Sequence, residues 1–340
     1  MRAAELPPLD PRWGELGLMR VVYEERTRDP EAGAKLAALE AQVNAAIAAG
    51  GGPRWHTLRL ETWKARCVSL TRKGAIHEAL TLAARMADES DTLDDPKARF
   101  FGRFTYACAL GRLGRVDEAL PLLEELIQHS QEHGLPFERG LTLFERVSTS
   151  YRRGQIDDAE RDAIDAAELF VSLGARWHVA SMINIQGVCA LDRGELSRAE
   201  TLLRQALDRF EALGAADATL AAVNLGLLTL KQGRPEDALH ILTPAARRLH
   251  AQGDHLHELE VRLHLLDAYA RLGRWTGWDE ELNALSAHAA ALPASRVASG
   301  SSGRRRRMVT LSAAPATWGR RKARRRAEGR PSEGERSGVA

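Results

Sequence analysis

A glycine recurs along this 340-residue chain at intervals of 40, 40, 40, 39 and 40 residues. The recurring residues are Gly74, Gly114, Gly154, Gly194, Gly233 and Gly273. An alanine stands five residues after each of the first five, at Ala79, Ala119, Ala159, Ala199 and Ala238. A fixed period of this length is typical of repeat arrays, in which each unit packs mainly on its neighbours.

The residues around each recurring glycine predict a helical hairpin. Glycine adopts the left-handed conformation that ends a helix, and acidic residues just after it, such as Asp117 and Glu118, suit the start of the next helix. The following alanine allows two helices to approach closely. A second set of glycines lies 20 residues further on, at Gly134, Gly174, Gly214 and Gly253, where the second helices are expected to end.

Small residues also stand seven residues before several turn glycines, at Cys67, Ala107, Gly187 and Gly226. Together with the glycine–alanine spacing they resemble the tetratricopeptide repeat (TPR) family, although the usual TPR period is 34 residues. Extended repeats of this kind resemble those of bacterial signalling proteins, such as the sensor regions of maltose-regulator-type transcription factors and multidomain kinases. The resemblance implies an all-α, right-handed superhelical solenoid of antiparallel helix hairpins.

The chain is predicted to have three parts. Residues 1–53 form a degenerate helical cap, and residues 54–292 form five clear repeats and a degenerate sixth, in which Trp278 replaces the alanine. Residues 293–340 form a basic tail with no helical pattern, and they carry a net charge of +10 against −8 for the rest. We expect this tail to be disordered.

Three interpretations of the tail remain open. Its arginine runs can bind nucleic acid, with an affinity that falls as salt rises. It can instead be an inert solvated segment, or the product of a GC-rich gene read in the wrong frame. The last two interpretations are favoured over nucleic-acid binding.

The sequence contains no catalytic, cofactor or metal motif that occurs in the required structural context, so an enzyme is not expected. The cysteines, Cys67, Cys108 and Cys189, lie among apolar residues and are predicted to be buried thiols. No segment approaches the roughly 20 apolar residues that span a bilayer. A cytoplasmic protein with no membrane partner is therefore expected.

The TPR resemblance implies that the first helices of the hairpins line a concave, partner-binding groove. Two residues before the turn glycines stand Arg72, Arg112, Arg152, Asp192, Lys231 and Arg271, a largely basic ladder. Further candidates for the groove are Lys64, Phe101, Phe104, Phe144 and Asn184. A basic ladder suits an acidic segment or a C-terminal carboxylate. The alternatives are favourable charge at helix C-termini for the ladder and ordinary core packing for the aromatic residues.

The leading hypothesis is a scaffold that binds a peptide or protein partner in this groove. An alternative is that the chain is the sensor part of a larger signalling protein, a kinase or ATP-dependent regulator, without its catalytic domain. A second alternative is association with nucleic acid through the tail.

Overall fold

The computed structural model describes residues 11, 14–15, 17–19, 32–72 and 75–291. Gly74 and the tail predicted for residues 293–340 lie outside the described residues, as does most of the segment before residue 32. Within the described ranges all regular secondary structure is helical, which confirms the all-α prediction.

Thirteen helices are described, and from α2 onward they form successive hairpins. They are α1 (Ala32–Ala48), α2 (Pro53–Arg72), α3 (Ile76–Asp91), α4 (Pro96–Arg112), α5 (Val116–Glu132), α6 (Pro136–Arg153), α7 (Ile156–Ser172), α8 (Arg176–Asp192), α9 (Leu196–Ala212), α10 (Ala218–Lys231), α11 (Pro235–Gln252), α12 (His255–Arg271) and α13 (Trp275–Ala291). None of these helices combines the length and the apolar character that a membrane crossing requires.

The predicted turn glycines end the first helices as expected. Gly114 has φ +78°, a conformation that costs residues with a Cβ about 1–2 kcal/mol. The N–H of Arg115 donates to the carbonyl of Leu110 at 3.0 Å, and the N–H of Gly114 donates to that of Gly111 at 3.1 Å. These two bonds satisfy carbonyls that a helix end leaves without donors. Left-handed φ values recur at Gly154, Gly194, Gly233 and Gly273, and at the second set, Gly134, Gly174, Gly214 and Gly253.

The alanines after the turns are buried. Ala79 is 1% exposed, and Ala119, Ala159, Ala199 and Ala238 are 0% exposed. In the last hairpin Trp278 takes this place at 2% exposure and packs with Leu282 and Leu285. The sequence departure in the sixth repeat therefore leaves the hairpin formed.

Small residues on one helix of a hairpin face large residues on the other. A Cβ placed on Gly187 would lie 2.8 Å from the Cγ and Cδ2 atoms of Leu203, and one on Gly226 would lie 2.5 Å from Cδ2 of Leu242. In the first hairpin the larger Cys67 packs in one cluster with the smaller Ala83. In each of these hairpins a small residue on one helix thus makes room for a larger residue on the other, so the two helices pack closely.

The array divides into two compact units, Met1–Ala159 and Glu160–Ala340, with the boundary inside α7. In unit 1, Arg153 forms an ion pair with Asp117 of the preceding hairpin at 2.9 Å. In unit 2, Arg198 bonds to Glu160 at 2.6 Å, and Arg274 pairs with Glu236. These pairs join successive hairpins, and each contributes about 0–1 kcal/mol where it is exposed.

Candidate binding surfaces on the first helices

The first helices of successive hairpins contact one another more extensively than the second helices do. In unit 1 the contacts join α2 to α4 and α4 to α6, and in unit 2 they join α8 to α10 and α10 to α12. Side chains on these helices therefore share a surface across repeats. We call these surfaces the first-helix face of unit 1 (α2, α4, α6) and the first-helix face of unit 2 (α8, α10, α12).

Lys64 and Phe101 meet on the first-helix face of unit 1. The Lys64 Nζ atom lies 4.3 Å from the centre of the Phe101 ring, a cation–π contact. The Lys64 side chain is largely exposed, but its ammonium lies against the ring. The resulting loss of water lowers the pKa of Lys64, and nearby Glu61 and Cys108 oppose this shift.

The other predicted aromatic residues are half-buried. Phe104 stacks on Phe100 with 5.2 Å between ring centres and a 15° interplanar angle, and Phe100 is 0% exposed. Phe144 has a similar intermediate exposure on α6. Phe104 thus packs on the core and is still partly exposed. It can therefore serve both as a core residue and as part of a binding surface.

A carboxylate that the sequence analysis overlooked lies on this face. The Glu145 side chain is 15% exposed, lies 3.5 Å from the Arg152 guanidinium and is a neighbour of Cys108. Burial raises the pKa of Glu145, and Arg152, Arg112 and Cys108 oppose the shift. One feature of the sequence could have indicated Glu145. It is the only acidic residue at its repeat position, where the other hairpins have Ala65, Thr105, Ile185, Asn224 and His264.

The basic ladder divides into two parts. In unit 1, Arg152 contacts Glu145 and donates to the Thr149 hydroxyl at 3.3 Å. Arg112 is exposed, and among the described residues its guanidinium makes no hydrogen bond or ion pair, although its charge acts on Glu145. The side chain of Arg72 lies outside the description.

In unit 2 the two basic ladder residues bind the backbone of the preceding first helix. The Lys231 ammonium donates to the Leu191 carbonyl at 3.2 Å, and the Arg271 guanidinium donates to the Leu230 carbonyl at 2.8 Å. The last carbonyls of a helix have no partner within it, so these bonds are structural. The sequence suggested that these basic residues stabilise the C-terminus of their own helix. The hydrogen bonds instead go to the C-terminal end of the first helix in the preceding repeat.

Asn184 pairs with an asparagine of the next repeat. The Asn224 Nδ2 atom donates to Asn184 Oδ1 at 3.2 Å, and both side chains are half-buried on the first-helix face of unit 2. An asparagine amide carries two N–H donors and one carbonyl. This pairing uses only one donor and one acceptor, so the amides retain further capacity to bind a ligand.

The cysteines have the environments of weak nucleophiles. Burial raises the pKa of Cys67 to about 12 and that of Cys189 to about 11. Burial and the nearby Glu145 raise the pKa of Cys108 well above its ordinary value. Within the described residues no group of histidine, cysteine or carboxylate side chains is placed to hold a metal ion.

No protein-family model matches the chain, and no curated protein matches it in sequence. Solved structures do share its fold. A Rap protein complexed with competence and sporulation factor is 13% identical, with a TM-score of 0.61 over 91% of this chain and 87% of that one. The Rap conjugation gene regulator of plasmid pLS20, in complex with a Phr peptide, is 13% identical, with a TM-score of 0.57 over 95% and 99%.

A third similar structure is a signal-transduction ATPase with a tetratricopeptide repeat sensor from Pyrococcus horikoshii. It is 12% identical, with a TM-score of 0.59 over 93% of this chain and 52% of that one, so the chain spans about half of its length. Similarities at these identities concern the fold alone. They confirm the predicted TPR-like array of helical hairpins.

Proposed function

We propose that this chain binds a peptide or an extended protein segment along its first helices. One observation carries the proposal: the first-helix faces combine half-buried aromatic rings with polar side chains whose hydrogen-bonding capacity is not used up. An extended peptide needs partners for its backbone N–H and carbonyl groups, and it gains affinity from apolar side chains seated against aromatic ones.

Each unit, taken by itself, offers its own chemistry for such binding. In unit 2 the Asn184–Asn224 pair offers amide groups that match a peptide backbone. In unit 1 the Phe101 ring lies beside the Lys64 ammonium, and the half-buried Phe104 ring stacks on Phe100. One similar structure was solved in complex with a Phr peptide and another in complex with competence and sporulation factor, which supports a binding role for the fold here.

The test is selection of a randomised peptide library on the full chain, followed by calorimetry with the selected peptides. Joint replacement of Asn184 and Asn224 by alanine removes the amide pair, and loss of about two hydrogen bonds is expected to weaken binding by roughly tenfold. Asn283→Ala, on an exposed position of α13, is the matched control and should leave binding unchanged. Failure to select any peptide would rule out the proposal.

A second candidate function is that the same faces form the sensor of a larger signalling protein. The similarity to a signal-transduction ATPase of which this chain spans about half favours it. The genomic reading frame on both sides of the coding sequence provides the test. An ATPase or kinase domain in continuous frame would establish this context, and stop codons on both sides would exclude it.

The nucleic-acid alternative depends on residues 293–340, which lie outside the described residues. It predicts DNA binding that weakens steeply with salt and is lost when residues 304–326 are deleted. Binding that survives the deletion would refute it.

A further inference from the structure

Glu145 is a mostly buried carboxylate that lies among cationic groups. The ionisable groups that act on it are Cys108 and Arg112 from α4 and Arg152 from its own helix α6. Lys64, on α2, acts on Cys108 and is itself paired in charge with Glu61 of the same helix. Both cationic groups that act directly on Glu145 are thus arginines.

The arginines are not saturated by this carboxylate. The Arg152–Glu145 contact is 3.5 Å, whereas charge-assisted hydrogen bonds between such groups are typically about 2.7–2.9 Å long. Arg112 makes no hydrogen bond or ion pair within the described part of the chain. The two guanidiniums therefore have donors left for a second carboxylate.

Gly111 explains how these groups come so close to α4. A Cβ at this position would lie 3.1 Å from Nη2 of Arg152 and 3.3 Å from Oε1 of Glu145. Because glycine has no side chain, both groups from α6 lie directly against the α4 backbone, one residue before Arg112. The two arginines are thereby brought to one place on the surface.

Resting on the proposed function, we propose that Arg112 and Arg152 bind an aspartate or glutamate side chain of the peptide, and that Glu145 is an internal competitor that takes up a proton when the peptide binds. A side-chain carboxylate is the favoured ligand because the face extends from the arginines to Lys64 on α2 and to the Phe101 ring. A peptide that contacts those residues as well presents side chains along its length, so one of its side chains is expected to meet the arginines.

The coupling to protons follows from the charges. Burial already holds the pKa of Glu145 above its ordinary value. A second carboxylate at the arginines raises it further, because two negative charges in one site repel. Peptide affinity is then highest below the pKa of Glu145 in the free protein. It falls as the pH rises towards the pKa in the complex, by at most about tenfold per pH unit for one proton.

The experiment uses peptides selected from a randomised library on the full chain at about pH 5, the low end of the range, where the proposed coupling predicts the highest affinity. Each selected peptide is also made with its acidic residues replaced by the corresponding amides, and with its C-terminus amidated. Calorimetry between about pH 5 and 8, in buffers of different ionisation enthalpy, measures both affinity and proton uptake.

Acidic residues should be enriched among the selected peptides, and proton uptake should approach one. Glu145→Gln should abolish the pH dependence and bind about tenfold or more tightly than the wild-type protein at about pH 8. Joint replacement of Arg112 and Arg152 by glutamine should remove the preference for acidic peptides. The control Arg115→Gln, on an exposed arginine that pairs with Glu118, should change neither property.

Each contrary result has its own meaning. Selected peptides without acidic residues would overturn this inference and leave the proposed function standing, whereas no selected peptide at all would overturn both. Weaker binding by Glu145→Gln would show that Glu145 contacts the ligand as an acceptor, which refutes the competitor role. Loss of binding on C-terminal amidation alone would refute the side-chain assignment.

Discussion

Replacing Gly187 by alanine should destabilise the wild-type protein but stabilise a variant in which Leu203 is already alanine. A Cβ at Gly187 would lie 2.8 Å from two atoms of Leu203, whereas carbon atoms in good contact are about 3.5–4.0 Å apart. Leu203 is 0% exposed and packs in the core of its hairpin, so it has little room to retreat. Overpacking of this kind costs about 1–3 kcal/mol.

An opposing contribution comes from the backbone. Alanine is favoured over glycine inside a helix by about 1 kcal/mol. The net cost of Gly187→Ala in the wild-type background is therefore about 0–2 kcal/mol in the free energy of unfolding. Leu203→Ala alone should cost about 2–5 kcal/mol, because it leaves a cavity. In that background both close contacts with Leu203 are absent and Cβ of Leu202, at 3.3 Å, remains, so Gly187→Ala should recover up to about 1 kcal/mol.

The assay is a double-mutant cycle, with unfolding by urea followed by circular dichroism. The coupling free energy between the two positions should equal the overpacking cost of about 1–3 kcal/mol. The same cycle at Gly226 and Leu242, where the Cβ would lie 2.5 Å from Leu242, provides an independent replicate. The close-approach argument is refuted if Gly187→Ala changes stability equally, and in the same direction, in both backgrounds.

Three further predictions follow from individual contacts. Arg271→Met removes the bond to the Leu230 carbonyl and should lower the free energy of unfolding by about 0.5–1.5 kcal/mol. Arg112→Met should change the free energy of unfolding by less than about 0.5 kcal/mol. Equal losses for the two variants in urea unfolding would contradict the conclusion that only the basic ladder residues of unit 2 bond to helix carbonyls. Gly154→Ala should lower the free energy of unfolding by about 1–2 kcal/mol, because φ at this position is +88°. An added Cβ would have no atom within 4 Å, so this loss would come from the backbone conformation alone. An unchanged thermal midpoint would contradict the left-handed turn. Since burial raises the pKa of Cys67 to about 12, the folded protein should hold almost none of this thiol as thiolate at about pH 8. Cys67 should then react with iodoacetamide only as fast as the protein opens, and rapid native-state labelling, read by mass spectrometry, would refute the buried site.

Residues whose role is fixed by the local backbone were predictable from the sequence. Gly114 and Gly154 have the predicted left-handed conformation because ending a helix requires it, whatever the neighbours are. Ala119 and Ala199 are buried because the same close approach recurs in every hairpin. Periodicity is a reliable signal for such roles, since every repeat solves the same local problem.

Residues whose role depends on the side chains packed around them were not predictable in this way. Arg152 and Lys231 hold the same repeat position, but Arg152 meets the side chain of Glu145 while Lys231 bonds to a main-chain carbonyl. The difference arises from the side chains around each of them, which the period does not specify. Cys108 reaches Glu145 only because α4 packs against α6.

The sequence by itself determined the hairpin, its turns and the order of the helices, because these depend on backbone conformation and on which residues a helix end or a tight contact tolerates. Only the tertiary structure decided which basic residues bond to helix carbonyls, as Lys231 and Arg271 do, and which do not. It also revealed that the carboxylate of Glu145 lies beside Arg152. Hydrogen bonds and ion pairs depend on distances of a few ångströms between residues about 40 positions apart, and repeat packing sets those distances.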